Sequence, residues 1–437
     1  MTVTESVNIR ELVLSVLLSV NRDGEYSHIA LKNVLDKYRY LSKQERAFIT
    51  RVCQGTLEHQ IKIDYILNLF SKVKVHKMKP VIREILRSGV YELLYMDSVP
   101  PSATCNEAVK LTAKKGFQTL KGFVNGVLRT VSRNAQTIAF PGKNENLLNY
   151  LSVTYSMPEW IVSLWLKEYD EKKVEGMLQA FLLEGPTSIR VNQNRISVEE
   201  LTKELEAQGI KVEKNEEIQC GLYISEYDTL DAIKEFNEGK FYIQDTGSML
   251  VAELAEVKPD AYVIDVCAAP GGKSIHLAEI LKGTGMVEAR DFSDSKVQLI
   301  QENIERIGVL NMCAAVVDAR ITQVSSLEKA DLVIADLPCS GLGVMGHKTD
   351  IKYKMTKEKT IELVLLQQEI LAVVAKYVKP GGTLMYSTCT IHRAENEDMV
   401  LWLLEHQPEF SLEKQIQRLP ENGRTDGFFI AKLRKKG

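Results

Sequence analysis

The spacing of hydrophobic residues changes along the chain, and its first part follows a helical repeat. In residues 1–140, apolar side chains recur at intervals of three and four, as in Leu12–Val20, which is the pattern of an amphipathic helix. Ser42, followed three residues later by Glu45, predicts a capping box at the start of a further helix. The pattern therefore predicts an all-α domain over residues 1–140.

The pattern over residues 141–235 is less regular. A proline, a glycine and three asparagines predict a linker over Ala139–Tyr155. Beyond it, a short apolar run at Thr187–Val191 predicts a strand, and the helical spacing of Val198–Gln208 predicts a helix. We therefore expect residues 141–235 to form a linker and a small α+β subdomain.

From residue 236 to residue 437, short apolar runs alternate with helical patterns. This alternation predicts an α/β domain, with a parallel sheet covered by helices on both faces. Ligands in such sheets bind outside the carboxyl ends of the strands, so the residues that follow each strand are the first candidates for a site. The predicted strands are Tyr262–Val266, Met286–Ala289, Met312–Val317, Leu332–Ala335 and Thr383–Tyr386.

Composition excludes several classes of protein. The 437 residues are 45% hydrophobic and 26% charged, as in ordinary globular domains and unlike disordered or collagen-like chains. The strongest apolar stretch near the start, Leu12–Val20, is too short to span a membrane, and Glu5, Arg10 and Glu11 precede it where a signal peptide would be basic. We expect a cytoplasmic protein.

Charge is distributed unevenly along the chain. Residues 1–140 contain 21 Lys and Arg against 12 Asp and Glu, a net charge of +9, whereas the remaining 297 residues have 34 against 46, a net charge of −12. A basic domain joined to an acidic one indicates that the first binds a polyanion. The alternative is that the charge varies along a long chain without any relation to function.

Carboxylates and thiols follow the predicted strands. Asp291, Asp318 and Asp336 come after the second, third and fourth strands. Cys339 lies three residues beyond Asp336, and Cys389 follows the fifth strand. Taken singly, such a carboxylate is often a helix cap and such a thiol is usually part of the packing. Together at one edge of a sheet, they predict an active site.

A glycine-containing turn follows the first strand and predicts a ligand loop. Its glycines allow the backbone to approach a ligand closely. It is not a phosphate loop, because the first glycine of that motif would fall on a cysteine. Asp291 lies where a ribose diol would be bound, and Asp318 could accept from an adenine amino group, so we expect an adenosine ligand without a 2′-phosphate. The loop residues are Cys267, Ala268, Ala269, Pro270, Gly271, Gly272 and Lys273.

The seven cysteines form no CxxC pair, so no zinc motif and no metal are predicted. Two thiols at the ends of neighbouring strands indicate covalent catalysis. Addition of a thiolate to C6 of cytosine makes C5 nucleophilic enough to accept a methyl group, after which a base must remove the C5 proton. This chemistry needs a thiolate, an acid, a second base and a methyl donor. Spacing alone leaves open whether Cys339 or Cys389 attacks.

Three motifs in order resemble the RNA 5-methylcytosine methyltransferase family, which depends on S-adenosyl-L-methionine (AdoMet). They are CAAPGGK at 267–273, DLPCSG at 336–341 and STC at 387–389, supported by Glu395-Asn396-Glu397. Residues 1–140 resemble the NusB-like RNA-binding extension that marks the bacterial small-subunit (16S) rRNA branch, called RsmB or Sun. The resemblance implies a Class I, Rossmann-like fold over residues 236–437.

The resemblance also implies roles for the candidate residues. Cys389 would be the nucleophile, Cys339 would assist removal of the proton and release of the product, and Asp336 would contact the base and lie near the methyl donor. The loop Cys267–Lys273 would line the AdoMet pocket.

Within that pocket, the resemblance places Asp291 on the ribose and Asp318 near the adenine. The implied activity is 16S rRNA (cytosine-C5) methylation, and the implied partner is 16S rRNA or a small-subunit assembly intermediate.

Other functions remain open from the sequence. A transfer RNA substrate is the main alternative within the enzyme class. A non-catalytic RNA-binding assembly factor would predict loss of the thiols or of the acids, which are all present. An amine or small-molecule methyltransferase is disfavoured by the basic first domain and by the absence of an Asn-Pro-Pro-Tyr type motif.

Overall fold

The first part of the chain folds into helices, as the hydrophobic spacing predicts, within residues 7–437 that the computed structural model describes. The helices within residues 9–134 share a core that includes Leu17, Ile49 and Leu128. The helices are α1 (Ile9–Asn21), α2 (Ser27–Lys37), α3 (Lys43–Glu58), α4 (Gln60–Phe70), α5 (Pro80–Tyr95), α6 (Pro101–Lys114), α7 (Lys121–Asn134), α8 (Leu147–Thr154), α9 (Glu159–Trp165) and α10 (Glu171–Ala180).

Two local predictions in this region have different outcomes. The capping box is confirmed, because the Ser42 hydroxyl accepts from the Glu45 N–H and the Glu45 carboxylate accepts from the Ser42 N–H at 2.8 Å. The linker over Ala139–Tyr155 is wrong in part, since α8 occupies its second half. Asn146, which we assigned to a loop, caps this helix, and Leu151 is fully buried.

An antiparallel sheet of four strands follows, which confirms the predicted small α+β subdomain. The strand order is β2-β3-β1-β4, and the core on one face contains Ile189, Leu201 and Leu222. Its elements are β1 (Thr187–Val191), α11 (Val198–Glu206), β2 (Lys211–Lys214), β3 (Gly221–Ser225), α12 (Lys234–Asn237) and β4 (Phe241–Ile243).

The predicted α/β domain is confirmed as a seven-stranded sheet in the order β10-β11-β9-β8-β5-β6-β7. Strands β5 to β9 are parallel, whereas β10 and β11 form an antiparallel edge that the sequence pattern did not predict. The strands are β5 (Tyr262–Asp265), β6 (Met286–Asp291), β7 (Met312–Val316), β8 (Ala330–Asp336), β9 (Val378–Thr388), β10 (Phe410–Arg418) and β11 (Phe428–Lys435).

Both faces of this sheet are covered by hydrophobic cores, as expected for a doubly wound fold. Successive residues of β5 take part in different cores, because side chains alternate across a strand: Val263 packs in one and Ile264 in the other. The helices of this domain are α13 (Thr246–Ala255), α14 (Gly272–Ile280), α15 (Asp294–Ile307), α16 (Ile351–Lys354), α17 (Lys357–Val374) and α18 (Glu397–His406).

The chain divides into two compact units that do not follow its linear order. One comprises residues up to 182 together with 347–354, and the other comprises 183–346 and 355–437. The segment 347–354 joins the first unit through hydrogen bonds: Asp350 accepts from the Ser27 N–H and hydroxyl at 3.1 and 2.6 Å. The predicted domain boundaries at 140 and 235 remain predictions. No helix within residues 7–437 is long and apolar enough to cross a membrane.

Candidate functional site

The candidate site is built where the parallel strands end. Asp265 is the last residue of β5, Asp291 ends β6 and Asp336 ends β8. Cys389 directly follows the end of β9. Because the carboxyl ends of parallel strands meet at one edge, the topology brings these side chains to the same rim, as the sequence predicts.

The loop Cys267–Lys273 leads from β5 into α14. Gly271 adopts a φ of +104°, a conformation that favours glycine, and the helix begins at the next residue. A Cβ at Gly272 would lie only 3.1 Å from the Tyr242 ring. The Ala268 N–H donates to the Arg290 carbonyl at 2.8 Å. The two glycines therefore allow a tight turn that is tied to the neighbouring strand β6.

Asp291 lies beneath this loop and is buried. Its carboxylate accepts from the Ala269 N–H at 3.1 Å and from the Phe292 N–H at 2.9 Å, and the Lys296 ammonium is 3.2 Å away. A carboxylate has about four acceptor positions, so these three contacts leave about one position free for a hydroxyl of a ligand.

Asp318 is engaged differently. Its carboxylate accepts from the Arg320 guanidinium at 2.6 Å, and this hydrogen bond lowers the pKa of Asp318. No hydrogen bond or ion pair found within residues 7–437 joins Asp318 to the loop Cys267–Lys273 or to the cysteines. Asp318 therefore lies near the end of β7 and is already paired with Arg320.

A cavity of about 190 Å³ opens beside the loop. Asp265 lines it and was missed by the sequence reasoning, which considered only residues beyond each strand. Its Oδ2 accepts from the Ser274 hydroxyl at 2.5 Å, whereas its buried Oδ1 has no partner within the described chain. Burial raises the pKa of Asp265 to about 7. The other lining residues are Tyr242, Ile243, Gln244, Asp245, Ser248, Cys267, Ala268, Ala269, Pro270, Gly272, Lys273 and Asp336.

This cavity fits a polar ligand. Oδ1 of the buried Asp265 carboxylate makes no hydrogen bond of good geometry, although the Cys267 backbone also acts on this carboxylate, so Oδ1 offers an acceptor to a ligand in the cavity. The Cys267 thiol in the loop is an unsuitable nucleophile, because burial and the Asp265 carboxylate raise its pKa.

Lys273 and Asp336 form an ion pair at the rim. The Lys273 ammonium donates to Asp336 Oδ2 at 2.7 Å, and the Ser387 hydroxyl donates to Oδ1 at 2.7 Å. Burial by itself would lower the pKa of Lys273, but the charge of Asp336 outweighs it and the pKa is raised. Lys273 is therefore a permanent cation beside the predicted catalytic carboxylate.

The two predicted catalytic thiols lie next to each other. Cys339 Sγ and Cys389 Sγ are 3.3 Å apart, and both residues are half-buried. The hydrogen bond with Cys389, together with burial, raises the pKa of Cys339 well above its usual range. All seven cysteines of the chain are free thiols. The structure thus brings together the pair that spacing could only assign to neighbouring strands.

Two buried residues after β9 hold the loops that carry these thiols. The Glu395 carboxylate accepts from the Ser340 N–H at 2.8 Å, next to Cys339. The Asn396 amide oxygen accepts from the Thr388 hydroxyl at 2.6 Å, next to Cys389. The sequence included both residues in a supporting motif but indicated no role for them.

Asn396 also holds the chain on the other side of Cys389, since its amide donates to the Thr390 carbonyl at 3.0 Å. The Ser340 and Thr390 hydroxyls are 2.7 Å apart and connect the two loops directly. These contacts fix the backbone on both sides of the thiol pair.

Comparison with known proteins identifies each region. Residues 7–133 match the NusB family, residues 157–229 match the ferredoxin-like domain of RsmF/B-like methyltransferases, and residues 252–434 match the 16S rRNA methyltransferase family RsmB/F. A probable ribosomal RNA small subunit methyltransferase B of Bacillus subtilis is 35% identical over 99% of this chain and all of the relative. The ribosomal RNA small subunit methyltransferase B of Proteus mirabilis is 28% identical over 99% of each chain.

Solved structures agree with these matches. The crystal structure of PH0851 has a TM-score of 0.82 and 27% identity, covering 98% of this chain and 99% of its own. NSun6 from Pyrococcus horikoshii, solved with SFG, has a TM-score of 0.59 and 25% identity, covering 64% of this chain and 98% of its own. The chain therefore belongs to the RsmB/F family of 16S rRNA methyltransferases, the family also called Sun that its motifs and helical first domain predict.

Proposed function

We propose that this protein methylates C5 of a cytosine in 16S rRNA through a covalent bond between Cys389 and C6 of the ring. The observation that carries the proposal is the 3.3 Å separation of the Cys339 and Cys389 thiols beside the Lys273–Asp336 ion pair. Methylation of an exocyclic amine or a ribose hydroxyl needs no thiol, whereas C5 methylation uses both a nucleophile and a second base.

The methyl donor is S-adenosyl-L-methionine, as the sequence predicts and the methyltransferase family confirms. When bound, AdoMet supplies an electrophilic methyl group. The residues that would hold it are the loop Cys267–Lys273, Asp291 at the ribose and the open acceptor of Asp265. Asp318 stays assigned near the adenine by resemblance, and binding there would require exchange of its contact with Arg320.

Charges on either side of the thiol pair favour Cys389 as the nucleophile. The Glu395 carboxylate acts on Cys339 and contributes to its raised pKa, so Cys339 remains a thiol. On the other side, the Lys273 ammonium interacts favourably with a negative charge on Cys389. Because the raised pKa of Cys339 disfavours its thiolate, we assign the attack on C6 to Cys389.

The proposed reaction uses the thiols in sequence. The Cys389 thiolate forms a bond to C6, and the electrons of the C5–C6 double bond move into the ring, so C5 becomes nucleophilic and accepts the methyl group. Once Cys389 is bonded to C6, Cys339 loses its proton to solvent and, as a thiolate, removes the C5 proton. The C5–C6 double bond then forms again and the bond between Cys389 and C6 breaks. Asp336 contacts the base, held in place by Lys273 and Ser387.

Denaturing gels of cysteine variants with an rRNA fragment and AdoMet test the roles. We expect Cys389→Ala to bind RNA and AdoMet but to form neither product nor covalent adduct. We expect Cys339→Ala to form the adduct and fail to release it, so that a protein–RNA species survives denaturation. Cys313→Ala, which removes an exposed thiol elsewhere, should behave as wild type. An adduct formed by Cys389→Ala would reverse the assignment, and no adduct in either variant would overturn the covalent mechanism.

Bisulfite sequencing of total RNA from a deletion strain tests the substrate. Loss of one modified cytosine in 16S rRNA is the expected result. Loss of a tRNA site, with 16S rRNA unchanged, would contradict the proposed substrate while leaving the chemistry intact.

A further inference from the structure

A second cluster of reactive side chains lies away from the thiol pair. Cys220 precedes β3, Glu253 lies on α13 and His276 lies on α14. His276 Nε2 is 3.3 Å from Glu253 Oε1 and 3.8 Å from Cys220 Sγ, and Cys220 Sγ is 4.0 Å from Glu253 Oε1. These residues come from three separate elements, which explains why sequence spacing predicts no metal motif.

The three separations agree with a tetrahedral metal site. Zinc binds Cys sulfur at about 2.3 Å and His nitrogen or carboxylate oxygen at about 2.0–2.2 Å. At tetrahedral angles, these bond lengths require about 3.4 Å between nitrogen and oxygen and about 3.6 Å from sulfur to either atom. The observed distances lie within about 0.4 Å of these values, so small side-chain movements would complete the coordination.

The surroundings leave space for a further ligand. Cys220 and His276 are buried, whereas the Glu253 side chain is 45% exposed at the opening of a cavity of about 630 Å³ that all three residues line. Three protein ligands with an open fourth position are typical of zinc sites that bind water or another small molecule. The buried guanidinium of Arg190, whose charge also acts on His276, is paired with Glu279 at 3.1 Å.

The geometry points to a divalent zinc-type metal site formed by Cys220, Glu253 and His276, with a water molecule as the fourth ligand. A thiolate and a carboxylate balance the two positive charges of the ion, and His276 binds as a neutral imidazole. Coordination replaces the thiol proton of Cys220, which passes to solvent, so one proton is released for each ion bound at this sulfur.

The site would connect the small α+β subdomain to the methyltransferase fold. Cys220 directly precedes β3 of the four-stranded sheet, whereas His276 lies one helical turn after Lys273 on α14. A metal ion would thereby join the subdomain to the helix that begins at the cofactor loop. The alternative without a metal is a hydrogen bond from a neutral His276 N–H to Glu253 with a buried thiol nearby.

Cobalt binding to the metal-stripped full-length protein distinguishes these possibilities. Tetrahedral Co²⁺ bound to a thiolate gives visible d–d bands and a near-ultraviolet charge-transfer band. We expect both bands in the wild-type protein, bleaching when zinc is added, and a higher thermal midpoint with zinc than without it. Cys220→Ser should lose the charge-transfer band, and Glu253→Gln, an exposed and conservative change, should weaken cobalt binding at least tenfold while leaving the fold unchanged by circular dichroism.

The Cys339–Cys389 thiol pair requires its own control. The double variant Cys339→Ala/Cys389→Ala removes that pair and should retain the cobalt bands. Bands that persist in Cys220→Ser and disappear in the double variant would place the ion at the catalytic thiols and overturn the proposal, as would the absence of any thiolate–cobalt band in the wild type. None of these readouts depends on methyl transfer, so the proposed function and the metal site can fail separately.

Discussion

At the scale of single residues, the Cys389 thiol acts on the ionisation of its neighbour Cys339. Two sulfurs 3.3 Å apart cannot both carry a negative charge at low cost. The hydrogen bond and charge of Cys389, with burial and the charge of Glu395, keep the pKa of Cys339 high. In the proposed reaction, the bond between Cys389 and C6 would remove the negative charge of the Cys389 sulfur. Cys339 then becomes easier to deprotonate at the stage of the reaction that needs a base.

Removal of the Cys389 thiol should therefore lower the pKa of Cys339 and make it more reactive. In Cys389→Ala, the largest contribution to the raised pKa of Cys339 is absent, so we expect alkylation of Cys339 by iodoacetamide to begin at a lower pH than in the wild type. Peptide-resolved mass spectrometry measures this, with the exposed Cys313 as an internal reference that should not change. An unchanged pH dependence of Cys339 would contradict the coupling of the two thiols.

The residues predicted from the sequence are those marked by strand ends. Cys339, Cys389 and Asp336 meet because a parallel sheet collects its carboxyl ends at one edge. Glu395 and Asn396 received no role, because their function consists of hydrogen bonds to backbone and hydroxyl groups that are distant in sequence.

At the scale of elements, the loop after Cys339 touches the loop after Cys389 at a point where only glycine fits. The Gly343 N–H donates to the Cys389 carbonyl at 3.0 Å, and the Gly427 N–H donates to the Gly343 carbonyl at 2.8 Å. A Cβ on Gly343 would lie 1.9 Å from the Gly427 carbonyl oxygen and 2.8 Å from that of Cys389. These are rigid backbone atoms, so a side chain at Gly343 must move the loop.

We expect Gly343→Ala to impair both catalysis and stability. Overpacking of this kind costs about 1–3 kcal/mol of unfolding free energy, and a displacement of about 1 Å near reacting groups costs on the order of 100-fold in rate. Denaturant unfolding and single-turnover methyl transfer measure the two effects. Gly126→Ala, on an exposed face of α7 with open space around its Cβ, should retain the full rate and be as stable as wild type or more stable. A Gly343→Ala enzyme of normal rate would show that the loop contact is dispensable.

Elements at the edge of the sheet were the least predictable. The strand β10 has only its first residue, Phe410, buried and is otherwise half-buried or exposed, so no buried apolar run marks it. Its pairing with β11 comes from the tertiary structure and not from a local pattern. Ser293 occupies the N-cap position of α15, but its side chain makes no capping hydrogen bond, and its hydroxyl lies 3.4 Å from the Ser295 hydroxyl.

At the scale of the whole molecule, the basic part of the chain and the first compact unit do not cover the same residues. The basic residues concentrate in 1–140, yet the first compact unit also contains 347–354, a segment that follows the DLPCSG motif at 336–341 in the chain. Lys352 of this segment donates to the Glu58 carbonyl at 2.8 Å. Deletion of residues 1–140 would expose that segment, so substitutions of surface lysines are a cleaner test of RNA binding.

Four exposed lysines lie close together in sequence between α4 and α5, namely Lys72, Lys74, Lys77 and Lys79. If they contact phosphates, each Lys→Ala substitution should weaken binding of an rRNA fragment and reduce the slope of log K against log salt by about 0.7–0.9, the value for one phosphate contact. Lys258→Ala, an exposed lysine of the second unit, is the matched control and should leave the slope unchanged. Because these lysines would contact backbone phosphates and not base edges, the loss should be similar for different RNA sequences. A salt slope that responds to Lys258→Ala and not to the four lysines would move the RNA-binding surface to the second unit.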